Sequence, residues 1–420
     1  MEVTWDILEK LSYDYGDSLY LLDSQRFERN YDEFLKAFRD IYPKTFIAYS
    51  YKTNYIPKLC ELINRKGGYT EVVSGMEYDL AIKLGVPIQK IIFNGPYKNE
   101  KTIKKCLLGG GIVNIDSLYE IDIVEKIAQK NPGINMSIGI RCNFDIGEHM
   151  ISRFGFDINK KDFYHAFDRL KRLNNTSVKG LHCHFPNRNI ESFATRVDKM
   201  LHLSNQLFSS PPEFIDIGGG FCGKMNESLK KQFKYKIPSF QEYAEVIAIK
   251  FRDLYKHLNE SKKPKLLLEP GTALVSNAMK FVVKVIDIKT IRNKTIATVS
   301  GSKYNIISPS SAGINLPITV YRKSENDRHY IEYDSIDIAG YTCIENDYLY
   351  KGYNRSLEIG DYVVFDNAGS YSIVLKPPFI LPNCAIVEYN SKKKTYEIIK
   401  RKEENEDIFT TFNFKYKGEN

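Results

Sequence analysis

Cysteine is sparse and unpaired in this chain. The seven thiols, Cys60, Cys106, Cys142, Cys183, Cys222, Cys343 and Cys384, are scattered, odd in number and nowhere spaced as Cys-x-x-Cys. That pattern argues against a disulfide scaffold and against structural zinc, and it predicts free thiols in a reducing compartment with no metal. No apolar stretch is long enough to span a bilayer, and the opening Met1-Glu2-Val3-Thr4-Trp5-Asp6 lacks the character of a signal peptide, so a cytoplasmic location is expected. No short-period repeat or low-complexity tract interrupts the chain. No basic stripe interleaved with aromatics stands out either. The formal net charge of +8 is spread over lysines with acids nearby. It reads as a solvated surface, with neither nucleic acid nor membrane as partner, and its mild positive field favours an anionic substrate.

A chain of 420 residues is comfortable for two domains. Eight short apolar runs, residues 45–52, 69–74, 90–95, 112–117, 136–142, 178–185, 213–220 and 265–271, each end in a polar or glycine-rich cluster. Helical patterns lie between them at 54–66, 76–84, 118–129, 161–173, 190–207 and 240–258, with apolar residues at three- and four-residue spacing, as in Ile56, Leu59, Cys60 and Ile63. Alternating strand and helix predicts parallel strands and a (β/α)₈ TIM-type barrel, an α/β fold whose reactive face is the C-terminal rim of its strands. Beyond Met279 the pattern turns to β-rich stretches at 281–288, 294–299, 316–321, 330–333, 361–365, 385–389 and 395–399, separated by turn signals. The expected organisation is an N-terminal segment, 1–30, whose strand candidate 18–22 joins the β domain; a barrel, 31–278; a C-terminal β-sandwich or β-barrel domain, 279–408; and a mobile tail, 409–420.

The groups delivered to the barrel rim are Lys52, Asn94, Arg141, His184, Gly218, Gly219, Gly220 and Glu269. A lysine at a strand end forms a Schiff base with an aldehyde cofactor when burial keeps its amine neutral. Three glycines directly after a strand let backbone N–H groups close around a phosphate. A carboxylate such as Glu269, opposite a pyridine nitrogen, holds a proton there and makes the ring an electron sink. His184 could stack on such a ring, with His182 behind it. Singly, these are an ordinary strand-end lysine, a turn, a buried acid and a core histidine. Together they fit a phosphate-bearing aldehyde cofactor better than a metal or a nucleotide.

With these segments the chain resembles the pyridoxal-phosphate enzymes that have an alanine-racemase-like barrel, and within them the diaminopimelate/ornithine decarboxylase group. The resemblance runs from about Ser18 to Tyr389. It includes Val72-Val73-Ser74-Gly75, Asn114-Ile115-Asp116-Ser117, Ser152-Arg153-Phe154-Gly155-Phe156-Asp157, Glu269-Pro270-Gly271, Gly360-Asp361 and Ala368-Gly369-Ser370-Tyr371. It implies pyridoxal 5'-phosphate on Lys52, His184 stacked on it, Glu269 at the pyridine nitrogen, phosphate held by Gly219, Gly220 and Tyr371, and Arg141 beside the cofactor. Cys343 is the implied acid that protonates the α-carbon after carbon dioxide leaves. It would act from the partner subunit, so a homodimer with a shared active site is implied. Racemization shares the barrel and the lysine, but Cys343 and the Tyr371 segment favour decarboxylation. The presence of Lys52, His184, Glu269 and Cys343 disfavours a cofactor-free regulator.

The departures from that pattern bear on substrate. Thr272 follows Glu-Pro-Gly where the group carries arginine, and Ile344 follows Cys343 where an acid holds a distal ammonium. Residues 305–312 lack the group's Arg-Pro segment, and Phe185-Pro186-Asn187 replaces the usual Gly-Ser after His184. Losing carboxylate clamps is not conservative, so weak or absent activity on meso-diaminopimelate, ornithine and lysine is expected. The chain is similar here to the siderophore-type subgroup that decarboxylates conjugated amino acids such as citryl-diaminopropionate. A carrier-tethered amino acid, or a diaminopimelate/ornithine/lysine-type substrate in an altered pocket, is the alternative. Asn187, Arg188, Ser302, Lys303, Glu345 and Asp347 are the candidates for contacting that substrate.

Overall fold

The computed structural model describes residues 3–147, 151–306, 313–323, 331–390, 393 and 395–414. The chain divides into two compact units. One comprises residues 27–224 and 233–275; the other comprises 1–26, 225–232 and 276–420.

The first unit is the barrel. Its strands are Thr45–Ser50, Tyr69–Val72, Ile91–Phe93, Ile112–Ile115, Met136–Asn143, Thr176–His182, Phe214–Asp216 and Lys265–Leu268. Every neighbouring pair is parallel, and Lys265–Leu268 pairs with both Phe214–Asp216 and Thr45–Ser50, which closes the ring. Ala48, Tyr69, Ile92, Phe214 and Leu267 cluster as one buried core, as a small barrel filled with side chains requires. Seven of the eight expected runs end later than the observed ladder; the exception, 136–142, stops one residue short of Asn143. The last residues of the runs leave the sheet, as where Tyr51–Thr53 becomes a 3₁₀ turn, and this frees polar side chains at the rim.

Helix starts are capped by side chains. Asn189 accepts from Ser192 N–H at the head of Ile190–Leu207, and Ser239 with Glu242 forms a capping box before Phe240–Tyr255. Ser74 accepts from Glu77 N–H (3.2 Å) to begin Gly75–Lys83, and the Glu77 carboxylate accepts from Val73 N–H (2.7 Å). Helix Lys161–Arg172 buries Phe163, Ala166, Phe167 and Leu170, the three- and four-residue stripe of an amphipathic helix.

The second unit is mainly sheet. Ser18–Leu22 lies between Met279–Ile291, antiparallel to it, and Ala385–Asn390, parallel to it. Met279–Ile291 also pairs with Lys294–Val299 and Tyr362–Phe365, so the sheet branches on this long strand. Leu8 and Leu11 of helix Trp5–Tyr15 pack on Leu19, Leu21, Val282 and Val387. The strand expected at 330–333 is corrected. Residue 330 lies outside the described residues and 331–333 form no strand, whereas Ile336–Ala339 and Tyr348–Tyr353 do. Of the expected tail, Phe409 closes a short helix, Asn405–Phe409, and 415–420 lie outside the described residues.

Candidate active site

Lys52 sits in the turn that leaves the first barrel strand, and its amine pairs with the Glu71 carboxylate from the end of the second. Glu71 is fully buried. A carboxylate therefore stands beside the amine, placed to accept a proton from it. Asn94, at the end of the third strand, donates from Nδ2 to Glu71 (3.1 Å) and to Glu269, and its Oδ1 accepts from Asn114 Nδ2 (2.7 Å). A chain of amides therefore fixes both carboxylates from the strands between them.

His184 and Glu269 meet under the glycine loop. Gly219 N–H donates to His184 Nδ1 (3.0 Å), so this nitrogen cannot also donate to Glu269 Oε2, 3.5 Å away. Burial, with the positive charges of Lys52 and Arg141, outweighs the pull of Glu269 and lowers His184 to about 3, leaving a neutral ring. Burial would raise Glu269, but the neighbouring His182 and the charge of Lys52 outweigh it and hold its carboxyl well below the ordinary range. Asp216 goes the other way: full burial and the charge on Glu269 push it well above the carboxylate range. Its Oδ1 accepts from Gly218 N–H (2.8 Å), and its Oδ2 has no hydrogen-bond partner among the described residues. His182, Asp216 and Glu269 each bring one donor atom within 4.8 Å of the others.

The glycines are demanded by close approach. Gly218 has φ 72°, and a Cβ there would lie 2.2 Å from the Cys183 carbonyl; one on Gly219 would lie 2.6 Å from the Glu269 carbonyl. Arg141 is buried, pairs with Asp116 (3.2 Å) and lies over the Phe154 ring (4.7 Å). Asn187 is partly buried, and its carbonyl accepts from Arg196.

The other candidates belong to the sheet unit. Cys343 is exposed, and so is Glu345. Asp347 is buried with both oxygens occupied: Oδ1 accepts from Ser302 Oγ (2.9 Å) and Lys303 N–H (2.8 Å), and Oδ2 accepts from Thr342 Oγ1 (2.6 Å). Ser302 is buried too, and Lys303 Nζ donates to the Asn346 carbonyl (2.8 Å). Ser302 and Asp347 thus build the turn that carries Cys343, and their geometry lends no support to the substrate contact expected of them. Tyr371 holds a left-handed backbone (φ 61°), costly for a side chain of its size, between Ser370 and Ser372, whose buried hydroxyls lack hydrogen-bond partners among the described residues.

Glu71, Asp216 and Arg196 carry geometry at the rim to which no role was given from sequence. Arg196 is fully buried on helix Ile190–Leu207. It donates to the Gly219 carbonyl (2.8 Å), the Asn187 carbonyl (2.5 Å) and Ser192 Oγ (3.1 Å), with Phe193 4.1 Å beneath it. A basic residue in the middle of an otherwise apolar helical stripe was the signal available.

An amine at a strand end, a buried carboxylate oxygen that no protein donor satisfies, and a Gly220 N–H without a partner among the described residues suit an aldehyde, a protonated ring nitrogen and a phosphate respectively. This is a barrel built for pyridoxal chemistry. Residues 25–276 match the family model described as pyridoxal-dependent decarboxylase, pyridoxal binding domain, and the chain belongs to that family. It is a carboxy-lyase with pyridoxal 5'-phosphate as cofactor. A diaminopimelate decarboxylase from Aquifex aeolicus is 28% identical, over 95% of this chain and 92% of that protein. A diaminopimelate decarboxylase structure from M. jannaschii superposes with a TM-score of 0.84 at 22% identity, over 97% of this chain and 94% of that one. The Paramecium bursaria Chlorella virus arginine decarboxylase, bound to agmatine, does so at 0.70 and 21% identity, over 90% and 97%. No described helix is long and apolar enough to cross a membrane.

Proposed function

We propose that this chain removes the α-carboxyl group of a diamino or basic amino acid of the diaminopimelate, ornithine and lysine type, in a pocket whose carboxylate and ammonium clamps have changed. The observation that carries the chemistry is the buried Glu269 carboxylate, held well below the ordinary range, with an Oε2 that has no hydrogen-bond donor among the described residues. The relatives' names support the substrate class.

Lys52 Nζ would hold the cofactor's aldehyde carbon, with Glu71 positioned to take the ammonium proton. Glu269 would keep a proton on the ring nitrogen, and neutral His184, pinned by Gly219 N–H, would lie against the ring without adding charge. Gly219 N–H is already engaged, so Gly220 N–H is the loop donor available to the phosphate. Tyr371 would meet the same phosphate, and Arg141 would lie beside the cofactor. When bound, pyridoxal phosphate supplies the sink for the electron pair left on the α-carbon as carbon dioxide departs. Cys343 Sγ, exposed on its turn, would then return a proton to that carbon from the partner subunit of a homodimer, in the cytoplasm.

One observation favours a second reading, a conjugated acid of the siderophore-precursor kind. A cavity of about 410 Å³ in the sheet unit has Lys303 and Lys351 on a lining that also includes Ile306, Ile314, Leu316 and Leu349, and Ile344 offers no carboxylate to a distal ammonium. Carbon dioxide release from meso-diaminopimelate, ornithine, lysine, arginine and citryl-diaminopropionate separates the two. Turnover of a free diamino or basic acid supports the first reading. Turnover of the citryl conjugate alone replaces it with the second, and coloured protein that releases carbon dioxide from none of them defeats both.

A further inference from the structure

We propose that Arg188 supplies the guanidinium of an oxyanion site beside the glycine loop, at the place that Thr272 leaves without a charge. The inference rests on reading the rim as the cofactor pocket. The backbone around Arg188 is held from three sides. Arg196 Nη2 donates to the Asn187 carbonyl (2.5 Å), the Tyr243 hydroxyl donates to the Arg188 carbonyl (2.6 Å), and Asn189 Oδ1 accepts from Ser192 N–H (2.9 Å). A side chain carried on a fixed backbone loses less entropy when it grips a ligand.

From that backbone the Arg188 side chain reaches the residue after Glu269-Pro270-Gly271, where Nη2 donates to Thr272 Oγ1 (3.3 Å). The same segment packs on the glycine loop. A Cβ on Gly220 would lie 2.9 Å from the Asn187 carbonyl, and Arg196 ties the Gly219 carbonyl to the Asn187 carbonyl through one guanidinium. The Arg188 segment, the glycine loop and Thr272 are therefore a single contiguous stretch of rim. A planar fork of donors there matches an oxyanion better than a hydroxyl does. The ligand is a phosphate or a carboxylate: the cofactor's phosphate, or the α-carboxylate of the substrate.

The test uses the full-length protein and its Arg188→Met, Arg188→Lys and Arg188→Met/Thr272→Arg variants. Apoprotein is titrated with pyridoxal phosphate and, separately, with pyridoxal, and thermal midpoints are recorded without cofactor. If the anion is the phosphate, Arg188→Met binds pyridoxal phosphate about tenfold or more weakly and pyridoxal unchanged. If it is the carboxylate, both cofactor affinities stay put and KM for whichever amino acid is turned over rises by that factor with kcat held. In either case Arg188→Lys recovers part of the loss, and arginine at 272 in the double variant recovers more. Pyridoxal phosphate and substrate both bound within twofold of wild type would overturn the proposal. So would an equal loss for pyridoxal and pyridoxal phosphate with a lowered thermal midpoint, which marks a merely structural role. The cofactor arm needs no substrate, so its failure is distinguishable from an error in the substrate class.

Discussion

At the scale of single residues, the groups legible in the sequence are those whose position follows from strand ends alone. Lys52, His184 and Glu269 each close an apolar run, and the barrel rule places them on one rim. Their partners were not legible, because pairing depends on which strand ends become neighbours in space. Glu71 lies within its own run, where an acid reads as an interruption, yet its carboxylate is the one that pairs with Lys52. Asp216 sits inside the glycine motif, but only its burial in three dimensions, beside the charge of Glu269, pushes its carboxyl above the ordinary range. Replacing Lys52 with alanine is expected to abolish the visible absorption of the purified protein and to lower decarboxylation by about a thousandfold. An absorption spectrum and a carbon dioxide assay on that variant check both. Retained colour with retained turnover would remove the lysine from its assigned place.

At the scale of elements, apolar periodicity located the barrel well because parallel strands buried on both faces are continuous apolar runs. The sheet unit was harder to read. Ile336–Ala339 contains Asp337, and Tyr348–Tyr353 contains Lys351 and Gly352, so neither reads as a strand from side-chain pattern; pairing with neighbours makes them strands. Helix starts yield a pH prediction. The Glu77 carboxyl at the head of Gly75–Lys83 is raised to about 7, by burial first and by the charge on Glu71, against the Val73 N–H that lowers it. A carboxyl whose folded value exceeds its unfolded one stabilises the fold fully below the unfolded value, near 4.5, and loses that contribution as pH climbs through about 7. Glu77→Gln should remove that slope. The thermal midpoint of wild type minus that of the variant is expected to fall between pH 4.5 and 7 and to level off above; a flat difference would contradict the assignment.

At the scale of the whole molecule, the two-part plan follows from the change in pattern after Met279, but the path between the parts does not. The sequence places residues 225–232 inside the barrel, whereas they cluster with the sheet unit, where Gln232 Nε2 donates to the Asn315 carbonyl (2.9 Å) and its Oε1 accepts from Asn315 N–H (2.9 Å). No apolar periodicity marks such an excursion, because its partners are backbone groups far along the chain. The proposed shared active site has its own test at this scale. Lys52→Ala and Cys343→Ala proteins, each inactive alone, are unfolded together and refolded, or exchanged under mild dissociation. Random pairing makes half the dimers hybrid with one intact site each, so activity should return to about a quarter of wild type. A mixture as inactive as its parents would place Cys343 in the same subunit's site or outside it.

The chain passes from one unit to the other at residues 26/27, 224/225, 232/233 and 275/276. Gene dissection is therefore not a matter of choosing one boundary. An expression fragment ending at Val275 would lack the Asn315 that Gln232 grips and would leave that octapeptide dangling from an otherwise finished barrel. A fragment beginning at Ser276 would lack Ser18–Leu22, and with it the rung between Met279–Ile291 and Ala385–Asn390. Crystallographers or protein engineers seeking either half should design a circularly stitched or co-expressed version, because no clean scissor cut separates them.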